Sequence, residues 1–312
     1  MKAIAYHRHG PPEVLQYEDV EKPAPGDGEV SIRIRAASLN PYDWHFIFGS
    51  PRIVRLFSGR FPKIAGHDVA GEVEAVGSNV AELRPGDAVF GVCKGSLAEY
   101  GCTRTTALTR KPENVSFEQA ATLGIAGMTA LQGLRDCARL QAGQRVLING
   151  AAGGVGTFAV QIAKAFGAEV TGVCSTRNVE MVRAIGADHV VDYTRENFTR
   201  GGTRYDVILD MVGSHSLSEY RRVLERKGVV AVVGMASAGR FLRGLALAPF
   251  VPQKLALCRA KARADDLNAL GELVASGKVA PVIDRRYALP DSAEAVRYLA
   301  EGHPRGKVVV II

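Results

Sequence analysis

Cysteine is scarce and scattered in this chain. The five cysteines among 312 residues, Cys93, Cys102, Cys137, Cys174 and Cys258, stand singly. With no CxxC pair and no closely spaced framework, they indicate neither a disulfide scaffold nor a thiolate metal cage, and are expected to be reduced, mostly packed thiols. No stretch approaches the roughly 20 apolar residues of a membrane span, and the start, MKAIAYHRHGPPEV, lacks the apolar centre of a signal peptide. A cytoplasmic protein with no membrane insertion is expected. Longer-period repeats and low-complexity tracts are also missing. Charge of one sign is not concentrated: the net charge is +7, but the basic residues are spread out, with short clusters only from Arg259 to Arg263 and at Arg285 and Arg286. Such a surface reads as solvated and attractive to a phosphate-rich cofactor or an acyl-CoA, with RNA binding the lesser alternative.

What is present is enough for a full core. With 47% hydrophobic residues over 312 positions, the chain exceeds what one domain usually needs, and two domains are expected. The organising stretch is Arg145 to Gly167, RVLINGAAGGVGTFAVQIAKAFG. Arg145 to Asn149 reads as a buried parallel strand, Gly150, Gly153 and Gly156 follow at GxxGxxG spacing, and Val155, Phe158, Ala159, Ile162, Ala163 and Phe166 recur at helical period before Gly167 stops the helix. Glycines let the backbone turn tightly and approach a pyrophosphate, whose charge meets free N–H groups at the positive end of the helix. The order strand, glycine turn, helix therefore predicts a dinucleotide site.

From Met1 to about Pro112 the pattern is that of strands: KAIAYH, EVSIRIRAAS with Val30, Ile32 and Ile34 alternating, DVAGEVEAVG and DAVFGVC. Turn signals such as Pro23-Ala24-Pro25-Gly26 and Pro85-Gly86-Asp87 separate them, which predicts a β-rich, partly barrel-like domain. Trp44 to Ile64, carrying Trp44, Phe46, Phe48, Phe57 and Phe61, is either a loop or short helix over a pocket or ordinary core packing. Helical spacing returns from Ser116 to Arg139. After the glycine turn come EVTGVCS, HVVDY, DVILDMV, GVVAVVGM and a weaker KLALCRA. With the strand before the turn they make six, a doubly wound parallel sheet. Helices are expected near Val179 to Ile185, Leu217 to Leu224, Leu267 to Ser276 and Ser292 to Glu301, with a terminal strand in GKVVVII. The segment Gly239 to Lys261, rich in Leu, Ala and Arg, is expected to shape a cleft or a dimer edge.

These residues resemble the medium-chain dehydrogenase/reductase superfamily, and within it the zinc-independent quinone oxidoreductase-like branch. The resemblance rests on AASLNPYDW, GHDVAGEVEAVG, PGDAVFG, GSLAEY, ATLGIAGMTALQGL, NGAAGGVG, IGADHVVDY and the terminal GKVVVII. It implies a GroES-like β-rich catalytic domain, residues 1–117 and 265–312, and a Rossmann NADPH-binding domain, residues 118–264. It also implies a substrate cleft between them and a homodimer.

The cofactor follows from the end of the second Rossmann strand, where an acid would grip a free ribose 2′-hydroxyl and repel a 2′-phosphate. That place holds Ser175, Thr176, Arg177 and Asn178, all hydrogen-bond donors, with Arg177 adding charge. NADPH is expected. Thr129 and Tyr193 lie where similar reductases contact the nicotinamide side and the adenine end. Gly150, Ala151, Gly153, Gly154, Val155 and Gly156, with Ser175, Arg177, Asn178, Val212 and Gly234, complete the expected cofactor contacts.

No metal is expected. Zinc-dependent relatives hold the ion with a Cys, a His and a second Cys; here the first position is Asn40, the His is kept as His67 with Asp68 after it, and the second Cys is replaced around Ile125. One imidazole and one carboxylate cannot build a three-ligand catalytic site, so His67 reads as a hydrogen-bonded pocket or packing histidine. Without a Lewis acid, hydride is expected to go to an already electron-poor acceptor, a quinone or a small α,β-unsaturated carbonyl, whose charged oxygen needs hydrogen-bond donors. Asn40 and Tyr42 are the candidates, with Asp43 bracing their turn. Two alternatives stand beside this reading: an enoyl-thioester reductase, and an NADPH-binding redox sensor or RNA-binding protein with little turnover.

Overall fold

The computed structural model describes residues 1–50, 55, 59–233, 252–302 and 304–312. The chain divides into two compact units, Met1–Ala126 with Ala262–Ser276 and Pro281–Ile312, and Gly127–Lys261 with Gly277–Ala280. Sequence placed the joints at 117/118 and 264/265. The residues between 117 and Ala126 instead belong with the first unit, where their helix packs on its strands.

In the first unit, alternating sequence becomes antiparallel sheet. β1 (Lys2–Tyr6) pairs with β2 (Leu15–Asp19), and β3 (Glu29–Leu39) carries the inward-facing Val30, Ile32 and Ile34, which are essentially buried. Helix α1 (Pro41–Phe48) follows directly. Then come β4 (Lys63–Ile64), β5 (Asp68–Val76), β6 (Ala88–Val92), β7 (Tyr100–Arg104) and β8 (Leu108–Arg110). β5 runs antiparallel to both β3 and β6. Ser116 caps α2 (Phe117–Ala121) through a reciprocal pair with Gln119, and the helical run continues through a wide π-type turn at Leu123–Gly127.

The second unit opens with α3 (Met128–Gln132) and is built on six strands: β9 (Arg145–Asn149), β10 (Glu169–Cys174), β11 (His189–Asp192), β12 (Tyr205–Asp210), β13 (Leu224–Val233) and β14 (Lys254–Cys258). All neighbouring pairs are parallel, in the order β11-β10-β9-β12-β13-β14. The near-continuous apolar runs of β9 and β12 are those of strands covered on both faces. Between strands lie α4 (Gly154–Ala165), α5 (Val179–Ala184) and α6 (Leu217–Val223). Leu147, Ile208, Val223, Leu224 and Val230 pack into one buried cluster, each large side chain contributing about 1.5–3 kcal/mol.

One expectation about cysteine is corrected here. Cys137 and Cys258 are bonded as a disulfide across a sequence separation of 121 residues, with Cα atoms 6.1 Å apart. Their distance along the chain hid the pairing: the turn after α3 packs on β14 and brings them together. Cys93, Cys102 and Cys174 are free, and burial pushes the Cys93 thiol up to about 12.

The chain then returns to the first unit with α7 (Ala264–Ala275), β15 (Ile283–Ala288), α8 (Ser292–Ala300) and β16 (Lys307–Ile311). β16 lies antiparallel to β3 with Val308 opposite Leu39. The pattern of GKVVVII left its location open. This register sets it, and carries Lys307 to the level of Asn40.

Candidate active site

The first unit holds a buried polar knot. Asn40 caps α1, Pro41 occupies its first turn, and the Asp43 carboxylate accepts the Asn40 amide at 2.7 Å, a reciprocal cap that fixes the entry of the helix. Asn40, Asp43, Asp68 and Lys307 are each at most 3% exposed. The Lys307 ammonium donates to the Leu39 carbonyl at 3.0 Å, to Asn40 Oδ1 at 2.5 Å and to Asp68 Oδ2 at 3.3 Å. Asp68 also accepts from Ser38 Oγ at 2.8 Å, Asn40 Nδ2 at 2.8 Å and the Ile125 amide at 2.7 Å. That amide lies within the wide turn at Leu123–Gly127. Gly124 belongs to the same fit, because a Cβ there would run into Asp68 Oδ1. Burial pushes the Asp68 carboxyl up and the Lys307 ammonium down, each opposed by the partner's charge.

Beside the knot, the other oxygen of Asp43 meets His67 Nδ1 at 2.6 Å. The imidazole lies edge to face with Tyr42 at 4.8 Å between ring centroids, and near Phe46 at 6.0 Å. Asp43 is closed off, the His67 side chain is 18% exposed, and Tyr42 is 45% exposed. The arrangement runs from a buried carboxylate through an imidazole toward an open face.

In the second unit, the strand order reverses between β10-β9 and β9-β12, so the crevice beyond the carboxyl ends of β9 and β12 is the place for a ligand. Gly150 has φ +91°, a left-handed conformation, and a Cβ on Gly156 would overlap the Gly150 carbonyl oxygen, so helix and turn close only without a side chain there. At Gly153 a Cβ would meet nothing nearer than 3.5 Å. The amides of Gly154, Val155 and Gly156, at the start of α4, donate to no acceptor among the described residues. Asn149 and Asp210 brace the crevice: Asn149 Nδ2 donates to Asp210 Oδ1 at 2.9 Å and the Tyr220 hydroxyl to Asp210 Oδ2 at 2.6 Å.

At the end of β10, Arg177 is exposed on a short turn, Asn178 is buried with its Oδ1 unpartnered, and Asn178 Nδ2 donates to Ser175 Oγ at 3.2 Å. An acid does stand nearby. Asp192, ending β11 opposite Cys174, accepts from Thr176 Oγ1 at 2.5 Å and Thr194 Oγ1 at 2.7 Å, with Arg195 at 3.5 Å.

The predicted residues thus fall into two groups. Asn40, Tyr42 and Asp43 come together at α1 with His67. Gly150, Ala151, Gly153, Gly154, Val155 and Gly156 form the turn, and Ser175, Arg177 and Asn178 end β10. Tyr193, 58% exposed, follows β11, and Val212, 46% exposed, follows β12. Thr129 is half-buried in α3, and Gly234 lies outside the described residues. The geometry alters the standing of Asn40, whose amide is engaged at both ends inside the knot. Sequence reasoning missed Lys307, Asp192 and the Asp43–His67 contact.

The mostly antiparallel first unit and the parallel six-stranded second unit have the GroES-like and Rossmann-like architecture of an oxidoreductase. The family model for an alcohol dehydrogenase GroES-like domain matches residues 26–134, and that for a zinc-binding dehydrogenase matches residues 185–310. The chain is 34% identical to a chloroplast envelope quinone oxidoreductase homolog of Arabidopsis thaliana, over 99% of this chain and 98% of the relative. It is 36% identical to a chloroplastic NADPH-dependent alkenal/one oxidoreductase of the same plant, over 99% of this chain and 79% of the relative. Its fold matches the quinone oxidoreductase of Coxiella burnetii with a TM-score of 0.93 at 34% identity, covering 100% of this chain and 99% of that one. The chain belongs to the quinone oxidoreductase-like family of medium-chain dehydrogenases/reductases, and is an enzyme of the oxidoreductase class.

The zinc in the name of one matching family does not fit these residues. Where a thiolate would stand, Asn40 offers an amide oxygen already holding an ammonium, and Ile125 offers an N–H, a donor rather than a ligand. Among the described residues no three His, Cys, Asp or Glu side chains converge on one point. A divalent ion would also meet the charge of Lys307. The residues of the second unit would fit a dinucleotide's pyrophosphate: the Gly154, Val155 and Gly156 amides have no acceptor among the described residues, and a side chain is excluded at Gly156.

Proposed function

We propose that this protein is an NADPH-dependent oxidoreductase that reduces quinones or small α,β-unsaturated carbonyls without a metal. The observation carrying the reading is the knot of Asn40, Asp68 and Lys307, in which the amide at the position of the relatives' first cysteine ligand already holds the chain's own cation. Bound at the glycine turn, the nicotinamide cofactor supplies the hydride. A simple alcohol at neutral pH needs a Lewis acid to lose its proton, whereas quinones and enones are activated already. The two Arabidopsis relatives, a quinone oxidoreductase homolog and an NADPH-dependent alkenal/one oxidoreductase, agree with this class.

For the cofactor, the exposed Arg177 and the absence of an acid among residues 175–178 support the 2′-phosphate. Asp192 counts less, because Thr176, Thr194 and Arg195 already engage its carboxylate. Tyr42 is the exposed donor at the acceptor's oxygen, and Asn40 and Asp43 hold its turn. The remaining cofactor assignments, Thr129, Tyr193, Val212 and Gly234 among them, belong to the same reading, as do a homodimer and a cytoplasmic location.

The test is oxidation of NADPH and of NADH against a panel from benzoquinones and naphthoquinones through short enones to enoyl-CoA esters. Turnover with quinones or enones and a preference for NADPH are expected. A preference for NADH overturns the cofactor assignment, exclusive use of enoyl thioesters moves the substrate class, and tight NADPH binding without turnover makes the protein a sensor. Mass measurement in solution tests the homodimer.

A further inference from the structure

We propose that His67 is the proton donor of the reaction and that the buried Asp43 is its positioning residue. The inference rests on the acceptor class proposed above.

Hydride addition to an enone places an electron pair on the carbonyl oxygen as an enolate, and a proton must follow to give the saturated carbonyl. Asp43 Oδ1 lies 2.6 Å from His67 Nδ1, and its other oxygen is held by the Asn40 amide at 2.7 Å. The carboxylate is fixed and 1% exposed, so it holds the Nδ1 proton in place and sets the orientation of the ring. With Nδ1 committed, Nε2 is the nitrogen left for chemistry, and no described residue takes a hydrogen bond from it. The ring keeps 18% of its surface exposed, and its walls are Tyr42 and Phe46.

The proton balance closes. The imidazolium gives its Nε2 proton to the enolate, becomes the neutral Nδ1–H form that Asp43 favours, and takes a new Nε2 proton from solvent. One hydride and one proton enter the acceptor, and the cofactor leaves oxidised. A quinone makes a lesser demand, because its hydroquinone anion is stable enough to be protonated by water. The donor should therefore matter for enones far more than for quinones.

Tyr42 and His67 lie side by side here, and a buried, oriented carboxylate holds the His67 ring. Tyr42 serves as a wall and a hydrogen-bond donor to the acceptor's oxygen.

The test uses the full chain with His67→Ala, His67→Gln, Asp43→Asn and Tyr42→Phe, an enone and a quinone as alternative acceptors, and NADPH affinity by fluorescence titration. His67→Ala is expected to lower enone kcat by about 100-fold or more, with quinone kcat changed less than about tenfold and NADPH affinity retained. Imidazole in solution should restore enone turnover to His67→Ala, a rescue that a merely structural histidine does not show. His67→Gln keeps the volume and should behave alike without rescue. In ¹⁵N-histidine NMR spectra, Asp43→Asn should shift the His67 ring toward the other tautomer. Tyr42→Phe is expected to act mainly on KM. Equal losses with both acceptors and no rescue overturn the proposal. So does full enone turnover in His67→Gln, or a Tyr42→Phe variant that alone abolishes protonation. If the unaltered protein turns over neither acceptor, the functional reading itself fails and the proton step goes with it.

Discussion

The two sites treat charge in opposite ways. In the glycine turn, the amides of Gly154, Val155 and Gly156 are left without acceptors and a side chain is excluded at Gly156. In the knot, every partner is supplied internally: Asp68 has four donors, and the Lys307 ammonium has three oxygens. The first arrangement gains its meaning from an anion arriving from outside. The second is complete within the chain. A cofactor that is bound and released needs unfilled donors, while a cation that never leaves can be built in as a side chain on a strand.

The sharpest way to break this contrast is to empty the knot. Lys307→Met leaves Asp68 buried and uncompensated, which is expected to cost about 3–5 kcal/mol in urea unfolding. The double variant Lys307→Met with Asp68→Asn should recover part of that loss, since no lone charge remains. Filling the turn is the next test. Gly156→Ala forces a Cβ against the Gly150 carbonyl oxygen, and a cost of about 1–3 kcal/mol with at least tenfold weaker NADPH binding is expected. Calorimetry and fluorescence titration check the two.

Smaller effects belong to the 2′-phosphate end. Arg177→Glu replaces an exposed positive charge by a negative one and should weaken NADPH by about tenfold while leaving NADH within about twofold, read from paired dissociation constants. Asp192→Asn removes an acid already engaged by Thr176, Thr194 and Arg195. A gain of no more than about threefold in NADPH affinity is expected, because the Asp192 charge is already largely offset by these partners. A larger gain would show that Asp192 opposes the phosphate.

The second unit was the more legible in sequence. Parallel strands covered on both faces announce themselves as apolar runs, and the glycines of the turn sit within a few residues of one another, so spacing alone locates them. Asp43 was read as the brace of its turn, but not Asn40 as the cap of the helix that Pro41 opens. What stayed hidden depends on strand register. Lys307 heads GKVVVII, and a lysine at the start of a buried run was the available signal. Its partners Asn40 and Asp68 lie 267 and 239 residues away and meet it only because Val308 pairs with Leu39. Cys137 and Cys258 escaped for the same reason, and so did Asp192, whose relation to Thr176 follows from the pairing of β10 with β11. The Asp43–His67 contact joins the first turn of α1 to the residue before β5. Local chemistry was visible; encounters across the sheet were not.

The proposal that turnover needs no metal is tested most directly by enone- or quinone-dependent NADPH oxidation before and after exhaustive treatment with a zinc chelator, with metal content determined on the same samples. The account predicts unchanged turnover and zinc far below one ion per chain. Turnover lost with the chelator and regained with zinc would contradict it.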